Sequence, residues 1–312
     1  MNAITEFPVL STVRSYTQLE LEYDPELKTL FSWMKPEPRP CFTKTLLEEV
    51  QHLERLLESN QGHLNHQGHA ERVAYLVAGS RATGAFNLGG DLAMFIQAIM
   101  RKDRELLSYY GHLCVENIER RLTGLGASIP TIALVQGKCF GGGFECALTS
   151  EVIVAERCAT FSFPEIIFNL IPGMGGLLLL KRRVGLKKAE EIIMSGRVFS
   201  AKEMYDLDVV DIVAEDGFGL EAVRKHIQHR ERKPIAYRTL FHAKQVCEPI
   251  TKEQLLGIVD LWVDATMQLE TRDLRMMARL LRSQDKMVTT RDEESSSEAL
   301  YASEALVAVG AD

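Results

Sequence analysis

A surplus of basic charge, paired cysteine motifs and long apolar runs are all missing from this sequence, and each absence removes a class of function. Lys and Arg number 36 against 43 Asp and Glu, a formal net charge of −7, so there is no electrostatic footprint for nucleic acid and an anionic polymer is a poor partner. The six cysteines, at 41, 114, 139, 146, 158 and 247, form no CxxC pair and sit mostly inside apolar segments. They read as reduced, buried thiols of a cytosolic protein, with no disulfide staple and no zinc site. No uninterrupted apolar stretch reaches about 18 residues, and the opening MNAITEFPVL lacks a basic region followed by an apolar run. The chain is expected to be neither exported nor inserted in a membrane.

What is present is a globular composition, 46% hydrophobic and 25% charged over 312 residues, enough for one large core or two smaller ones. Strand and helix patterns alternate from residue 17 to about 214, and the rest is helical. This divides the chain into an N-terminal arm (1–16), an α/β core (17–215), a helical C-terminal region (216–288) and a charged, serine-rich tail (289–312) expected to be mobile. In TKTLLEEVQHLERLLES, Leu46, Leu47, Val50, Leu53, Leu56 and Leu57 recur at helical spacing, so one face is core. The following NQGHLNHQGHAE reads as a solvated polar loop; His63, His66 and His69 have no Cys or acidic complement there, so no metal is expected. Next come a strand, VAYLVAGS (73–80), the loop RATGAFNLGGDL, one long helix through residue 124, and a second strand, TIALVQGK (131–138).

Chemistry concentrates at two glycine loops, GAFNLGGDL and KCFGGGFE, each following a β-rich run and preceding a helical one. Glycine admits close backbone approach and positive φ, so amides can converge on one oxygen, and a helix start adds free N–H groups. Two such loops can together form an oxyanion hole, although tight turns demanded by packing also use glycine. Asp91 ends the first loop as a helix cap.

Two carboxylates flank the second loop. Glu145 falls in the first turn of the helix opened by the glycines, where the helix dipole alone would favour an acid. Glu165 follows Pro164 in ATFSFPEIIF among apolar neighbours, and burial without a partner raises a carboxyl pKa toward neutrality, where it serves as general acid or base. The spacing, 165 − 145 = 20, leaves room for a helix, a strand and a return, so the two acids can meet across one cavity.

In combination, GAFNLGGDL, IPTIALVQGKCFGGGFECAL, ATFSFPEIIFNLIPGMGG and SAKEMYDLDVVDIV resemble the crotonase (enoyl-CoA hydratase/isomerase) superfamily from about residue 20 to 215, roughly two thirds of the chain. The resemblance implies an α/β fold, a crotonase-like ββα spiral with a helical C-terminal region, assembled as a homotrimer or hexamer. It also implies an oxyanion hole from the amide of Leu88 or Gly89 and that of Gly142, with Glu145 and Glu165 at the positions of the hydratases' two glutamates. No metal and no cofactor are implied; the substrate travels as a thioester.

One departure narrows the resemblance. Crotonases that bind coenzyme A usually carry an asparagine-alanine pair near the adenine pocket, where this chain has PEPRPCFT. That segment, the NLGGDL loop, the histidine-bearing linker and the C-terminal helices are most similar to the diffusible signal factor synthases of the RpfF type. Those enzymes dehydrate a 3-hydroxyacyl chain on acyl carrier protein to a cis-2-enoyl thioester and hydrolyse it to a free acid. The resemblance therefore implies acyl carrier protein as partner, phosphopantetheine as the thioester arm, and a sensor histidine kinase as a possible second partner. It implies a chain of about ten to thirteen carbons, which an apolar pocket of a few hundred Å³ could hold, with Met174, Trp262 and Leu280 as candidate walls. Two other readings use the same residues: an ordinary enoyl-CoA hydratase or isomerase, and a non-catalytic partner protein, against which the intact glutamate pair argues.

Overall fold

Residues 16–285 are described by the structure, a computed structural model; the expected tail 289–312 and nearly all of the expected arm lie outside them. The chain opens with an antiparallel hairpin of β1 (Leu19–Asp24) and β2 (Thr29–Met34). Helix α1 (Lys44–Ser59) is capped by Thr43, whose side chain accepts from Leu46 N. A second hairpin, β3 (His63–His66) with β4 (His69–Arg72), leads into β5 (Tyr75–Ser80). A recurring unit then takes over. First come β6 (Ala85–Asn87), α2 (Leu92–Arg101) and α3 (Arg104–Leu122), then β7 (Thr131–Val135), β8 (Lys138–Phe140) and α4 (Gly142–Leu148). Next are β9 (Val152–Glu156), β10 (Thr160–Ser162), a 3-10 turn at Pro164–Phe168, α5 (Gly176–Val184) and α6 (Leu186–Ser195). The chain closes with β11 (Phe199–Ser200), α7 (Ala201–Asp206), β12 (Ile212–Ala214), α8 (Gly219–Arg230), α9 (Pro234–Cys247), α10 (Lys252–Thr266) and α11 (271–285).

Successive units give one strand to each of two sheets. One has the order β1-β2-β5-β7-β9-β12 and the other β11-β10-β8-β6; within them β2-β5-β7-β9-β12 and β10-β8-β6 run parallel. The path is a spiral of ββα turns. β2, β7 and β9 are buried along their whole length and β5 in all but its last residue, as expected for parallel strands covered on both faces. Val223 and Ile227 of α8 cover one face through Phe31, Val77, Ile132 and Val154. Leu53 and Leu57 of α1 cover Leu30 and Leu76 on the other. Between the sheets, Ala133, Val135, Ile153 and Ala155 join Phe144, Phe161 and Phe163, the last stacked on Phe144 at 4.7 Å. Full burial of each such phenylalanine stabilises by about 1.5–3 kcal/mol.

Three sequence expectations are corrected. The long helix through residue 124 is two helices, α2 and α3, because Lys102 adopts a left-handed φ of 55° that ends α2 while the Asp103 side chain accepts from Leu106 N to start α3. The histidine-bearing stretch is a β-hairpin, not a loop, closed by Asn65 accepting from Gly68 N. TIALVQGK does not run as one strand. Gly137, at φ 111° with no room for a Cβ beside the Gly84 carbonyl, turns the chain so that Lys138–Phe140 joins the other sheet. Of the cysteines, Cys41, Cys114 and Cys139 are buried, Cys158 and Cys247 are exposed, and all six are free. No helix among the described residues is long and apolar enough to cross a membrane.

Candidate active site

The site begins with strand pairing. β6 and β8 are parallel neighbours, with Asn87 opposite Cys139, so the two glycine loops emerge side by side from the same edge. They touch so closely that a Cβ on Gly143 would lie 2.2 Å from Asn87 O, and one on Gly89 (φ 102°) 3.0 Å from Gly142 N. Only glycine fits there.

Within the first loop, amides are spent unequally. Leu88 N donates to Pro40 O at 2.7 Å and Gly89 N to Asn87 Oδ1 at 2.8 Å. Neither can hold a substrate oxygen, which corrects the expected assignment of Leu88 or Gly89. Gly90 N donates to none of the described residues, and neither does Gly142 N, the first amide of α4. A Cβ on Gly142 would stand 3.5 Å from Gly90 N, so these two amides border one gap. Asp91 then caps α2, accepting from Ala93 N and Met94 N.

Glu145 lies on α4, 2% exposed. Its Oε1 accepts from Met174 N and Gly176 N, both at 2.8 Å, so it is anchored by the IPGMGG segment and its place is not explained by the dipole of its own helix. Gly176 is needed for the approach, since a Cβ there would come within 3.1 Å of Oε1. Burial pushes the Glu145 carboxyl up to about 7, against the opposing pull of the two amides. Glu165, half-buried in the 3-10 turn, presents Oε1 only 2.6 Å from where a Gly141 Cβ would be, and its buried Oε2 has no partner among the described residues. Burial first, and the Glu145 charge second, push Glu165 up to about 8. Near neutrality the pair therefore holds about one proton between them.

Both glutamates, Gly90 and Gly142 line a cavity of about 260 Å³, and Met174, Trp262 and Leu280 line it too. Met174 thus contributes a side-chain wall and a backbone amide. Trp262, on α10, packs edge-on to Phe95 at 5.2 Å and against Gly173, where a Cβ would be 2.4 Å from the indole. His63, His66 and His69 lie on the β3–β4 hairpin and do not contribute to this cavity. Glu156, Cys158 and Asp216 bring three potential metal ligands within 4.8 Å, but Glu156 Oε1 already accepts from Gln136 Nε2 and Gly219 N. Gly90 and Gly176 escaped sequence reading, although both stand inside motifs it had singled out.

The enoyl-CoA hydratase/isomerase family profile matches residues 76–255, a span that includes both loops and both glutamates. The chain belongs to that family. This crotonase is 28% identical over 269 residues to the enoyl-CoA isomerase/hydratase fer4 of Mycosarcoma maydis, covering 85% of this chain and 93% of that protein. A probable enoyl-CoA hydratase of Bacillus subtilis (strain 168) is 36% identical over 131 residues, 42% of this chain and about half, 48%, of that one. Among solved structures, enoyl-CoA hydratase from Bacillus halodurans superposes with a TM-score of 0.68 at 17% identity, covering 84% of this chain and 100% of the other. DspI of Pseudomonas aeruginosa gives 0.63 at 22% identity, covering 84% and 98%. These likenesses establish the crotonase fold, and the family match makes the protein an enzyme of the hydratase/isomerase type.

Proposed function

We propose that this crotonase interconverts 3-hydroxyacyl and 2-enoyl thioesters by reversible addition of water, with Glu145 and Glu165 exchanging the protons. The observation that carries the reading is a pair of carboxyls, Glu145 buried and Glu165 half-buried, lining one cavity next to two amides that donate to none of the described residues. The thioester oxygen would lie between Gly90 N and Gly142 N, which stabilise the enolate as charge moves onto it. Glu165, held against Gly141 beside that hole, is placed for the proton on C2. Glu145, fixed by Met174 and Gly176, is placed for the water oxygen at C3. In hydration, ionised Glu145 takes a proton from water as its oxygen bonds to C3, and protonated Glu165 delivers a proton to C2. Dehydration runs the same steps backwards from the other protonation state of the pair. The test is hydration of a short 2-enoyl-CoA followed by mass of the product. A gain of one water that is lost in both Glu145→Gln and Glu165→Gln is expected, and near wild-type turnover by either variant would sink the reading.

A second reading adds hydrolysis and is favoured by the segment PEPRPCFT (36–43). It packs on the first glycine loop, through Pro40 O to Leu88 N and Phe42 N to Gly89 O, and Arg39 is tied to Asp285 of α11. This proline-bearing segment, packed on the glycine loop, supports a substrate presented by acyl carrier protein, dehydrated to the cis-2-enoyl chain and released as a free fatty acid signal. Exposed Ile235, Leu240 and Val246 on α9 support assembly into trimers. Competition between carrier-bound and coenzyme A-bound 3-hydroxyacyl chains, with released acid counted by mass, separates the readings. Equal turnover without free acid leaves the plain hydratase.

A further inference from the structure

Three successive peptides of the first glycine loop are each pinned by one hydrogen bond. Leu88 N is held by Pro40 O and Gly89 O by Phe42 N, both at 2.7 Å and both by the backbone of segment 36–43. The peptide between these two is held by a side chain: Gly89 N donates to Asn87 Oδ1 at 2.8 Å. A planar trans peptide points its N–H and C=O in opposite directions, so the Gly89 carbonyl held at Phe42 leaves Gly90 N facing the other way, toward Gly142. Turning the middle peptide would reset φ of Gly89, now 102°, and with it the aim of Gly90 N. Glycine at both positions leaves that turn without side-chain restraint. Asn87 is held in its turn. It is fully buried at the end of β6, opposite Cys139 of β8, and its Nδ2 faces Met34 Sδ at 3.8 Å, which keeps Oδ1 on the side of the loop. Its backbone carbonyl abuts Gly143, where a Cβ would lie 2.2 Å away, next to the Gly142 amide. One residue thus touches both glycine loops, yet it is not among those that line the cavity.

We infer that Asn87 is a positioning residue for the reaction: its side chain holds Gly89 so that Gly90 N and Gly142 N converge on the thioester oxygen. The inference deepens the hydratase reading and rests on it. Asn87 accepts from the amide two residues on, the bond of an Asx turn, which a Thr hydroxyl makes more weakly and a Val side chain cannot make. Packing alone would ask for a shape at position 87 and would be indifferent to an acceptor oxygen. An oxyanion hole asks for more, because its donors act only when they are aimed at the charge before it develops.

The test compares Asn87→Val with Asn87→Thr in the full chain, two side chains of one shape that differ in an acceptor oxygen. In hydration of a short 2-enoyl-CoA, Asn87→Val is expected to lower kcat by about 10- to 100-fold, short of the roughly 10²–10³ that loss of a whole oxyanion donor costs, while KM changes by less than about threefold. Asn87→Thr should recover a large part of that loss. A second readout needs no turnover: the infrared carbonyl stretch of bound, ¹³C-labelled butyryl-CoA, a saturated thioester. The wild type should lower that frequency from its value in solution, Asn87→Thr should keep most of the shift, and Asn87→Val should lose most of it. Equal kcat and equal carbonyl frequency in the Val and Thr variants overturn the inference, since a structural role would make both follow thermal stability alone. If Asn87→Val does not fold, Asn87→Ser against Asn87→Ala makes the same comparison with less bulk. Failure of the hydratase reading would look different, as no gain of water by any chain with the wild type, and the carbonyl shift of butyryl-CoA would still decide the role of Asn87.

Discussion

The contact between α1 and α3 and the wall of the cavity both enclose carboxylates, and they resolve that burial differently. Between α1 and α3, Glu54, fully buried, meets Arg121 within 2.6 Å. In the cavity, Glu145 meets two backbone amides, and Glu165 meets the Glu145 charge and, among the described residues, no donor for its Oε2. The Arg121 cation ties Glu54 in place and pulls against its desolvation, although burial still holds that carboxyl above its ordinary value. In the cavity, amides offset desolvation only in part and a second acid not at all, so proton affinity climbs into the neutral range and the groups become able to exchange protons. The same residue type thus serves as a fastener between two helices and as acid–base machinery in the cavity.

The largest effect that would sharpen this contrast is in the cavity. Glu145→Ala and Glu165→Ala should each lower kcat by about 10²–10⁴ with thermal unfolding and circular dichroism near wild type. A collapse of the fold in place of activity would make the cavity acids fasteners as well. Between α1 and α3, Arg121→Met should cost about 3–5 kcal/mol of stability in denaturant titration, because it leaves Glu54 buried without its cation. Adding Glu54→Gln should recover part of that loss, and an unchanged midpoint in the single variant would break the comparison.

Next in size is the oxyanion position. Gly142→Ala meets nothing nearer than 3.5 Å, so it should fold, yet its methyl would sit in the gap facing Gly90 N. A fall of about 10²–10³ in kcat is expected, and unchanged turnover would show that the second loop is only a turn.

The smallest effects are pH dependences. Activity requires one proton on the glutamate pair, so kcat/KM should be bell-shaped, falling below about 7 as Glu145 takes up a proton and above about 8 as Glu165 loses one. For stability, the folded-state pKa of Glu165 is raised from 4.5 to about 8. Its protonated form is thus favoured by folding; that contribution is complete below the unfolded value and fades as pH rises through the folded one. Glu165→Gln carries no such charge and should melt higher than wild type above pH 8. A melting difference that does not grow with pH would mean that Glu165 is better solvated than its surroundings indicate.

Much of this was legible along the chain. The apolar runs of β5 and β7 announced strands, the periodic leucines of α1 announced a packed helix, and the glycine loops with Glu145 and Glu165 announced a site. The misses share a cause. Leu88 and Gly89 were named because they sit in the right loop, but which amide is free depends on where Pro40 O and Asn87 Oδ1 come to lie. The break at Lys102 carries no Gly or Pro to mark it. The β3–β4 hairpin buries a single apolar side chain, Leu64, so its register has almost no hydrophobic signature.

By itself, the sequence determined the family, the alternation of strands and helices, and the two acids beside glycine loops, because these depend on local periodicity and on residue types that few other arrangements require. Tertiary structure alone decided that Gly90 and not its neighbours offers the amide, that Met174 and Gly176 anchor Glu145, and that Arg121 reaches Glu54 across 67 residues. The physical reason is that burial and hydrogen-bond satisfaction belong to neighbours in space. A residue's type says what it can bond, and only the packed chain says what is left for it to bond.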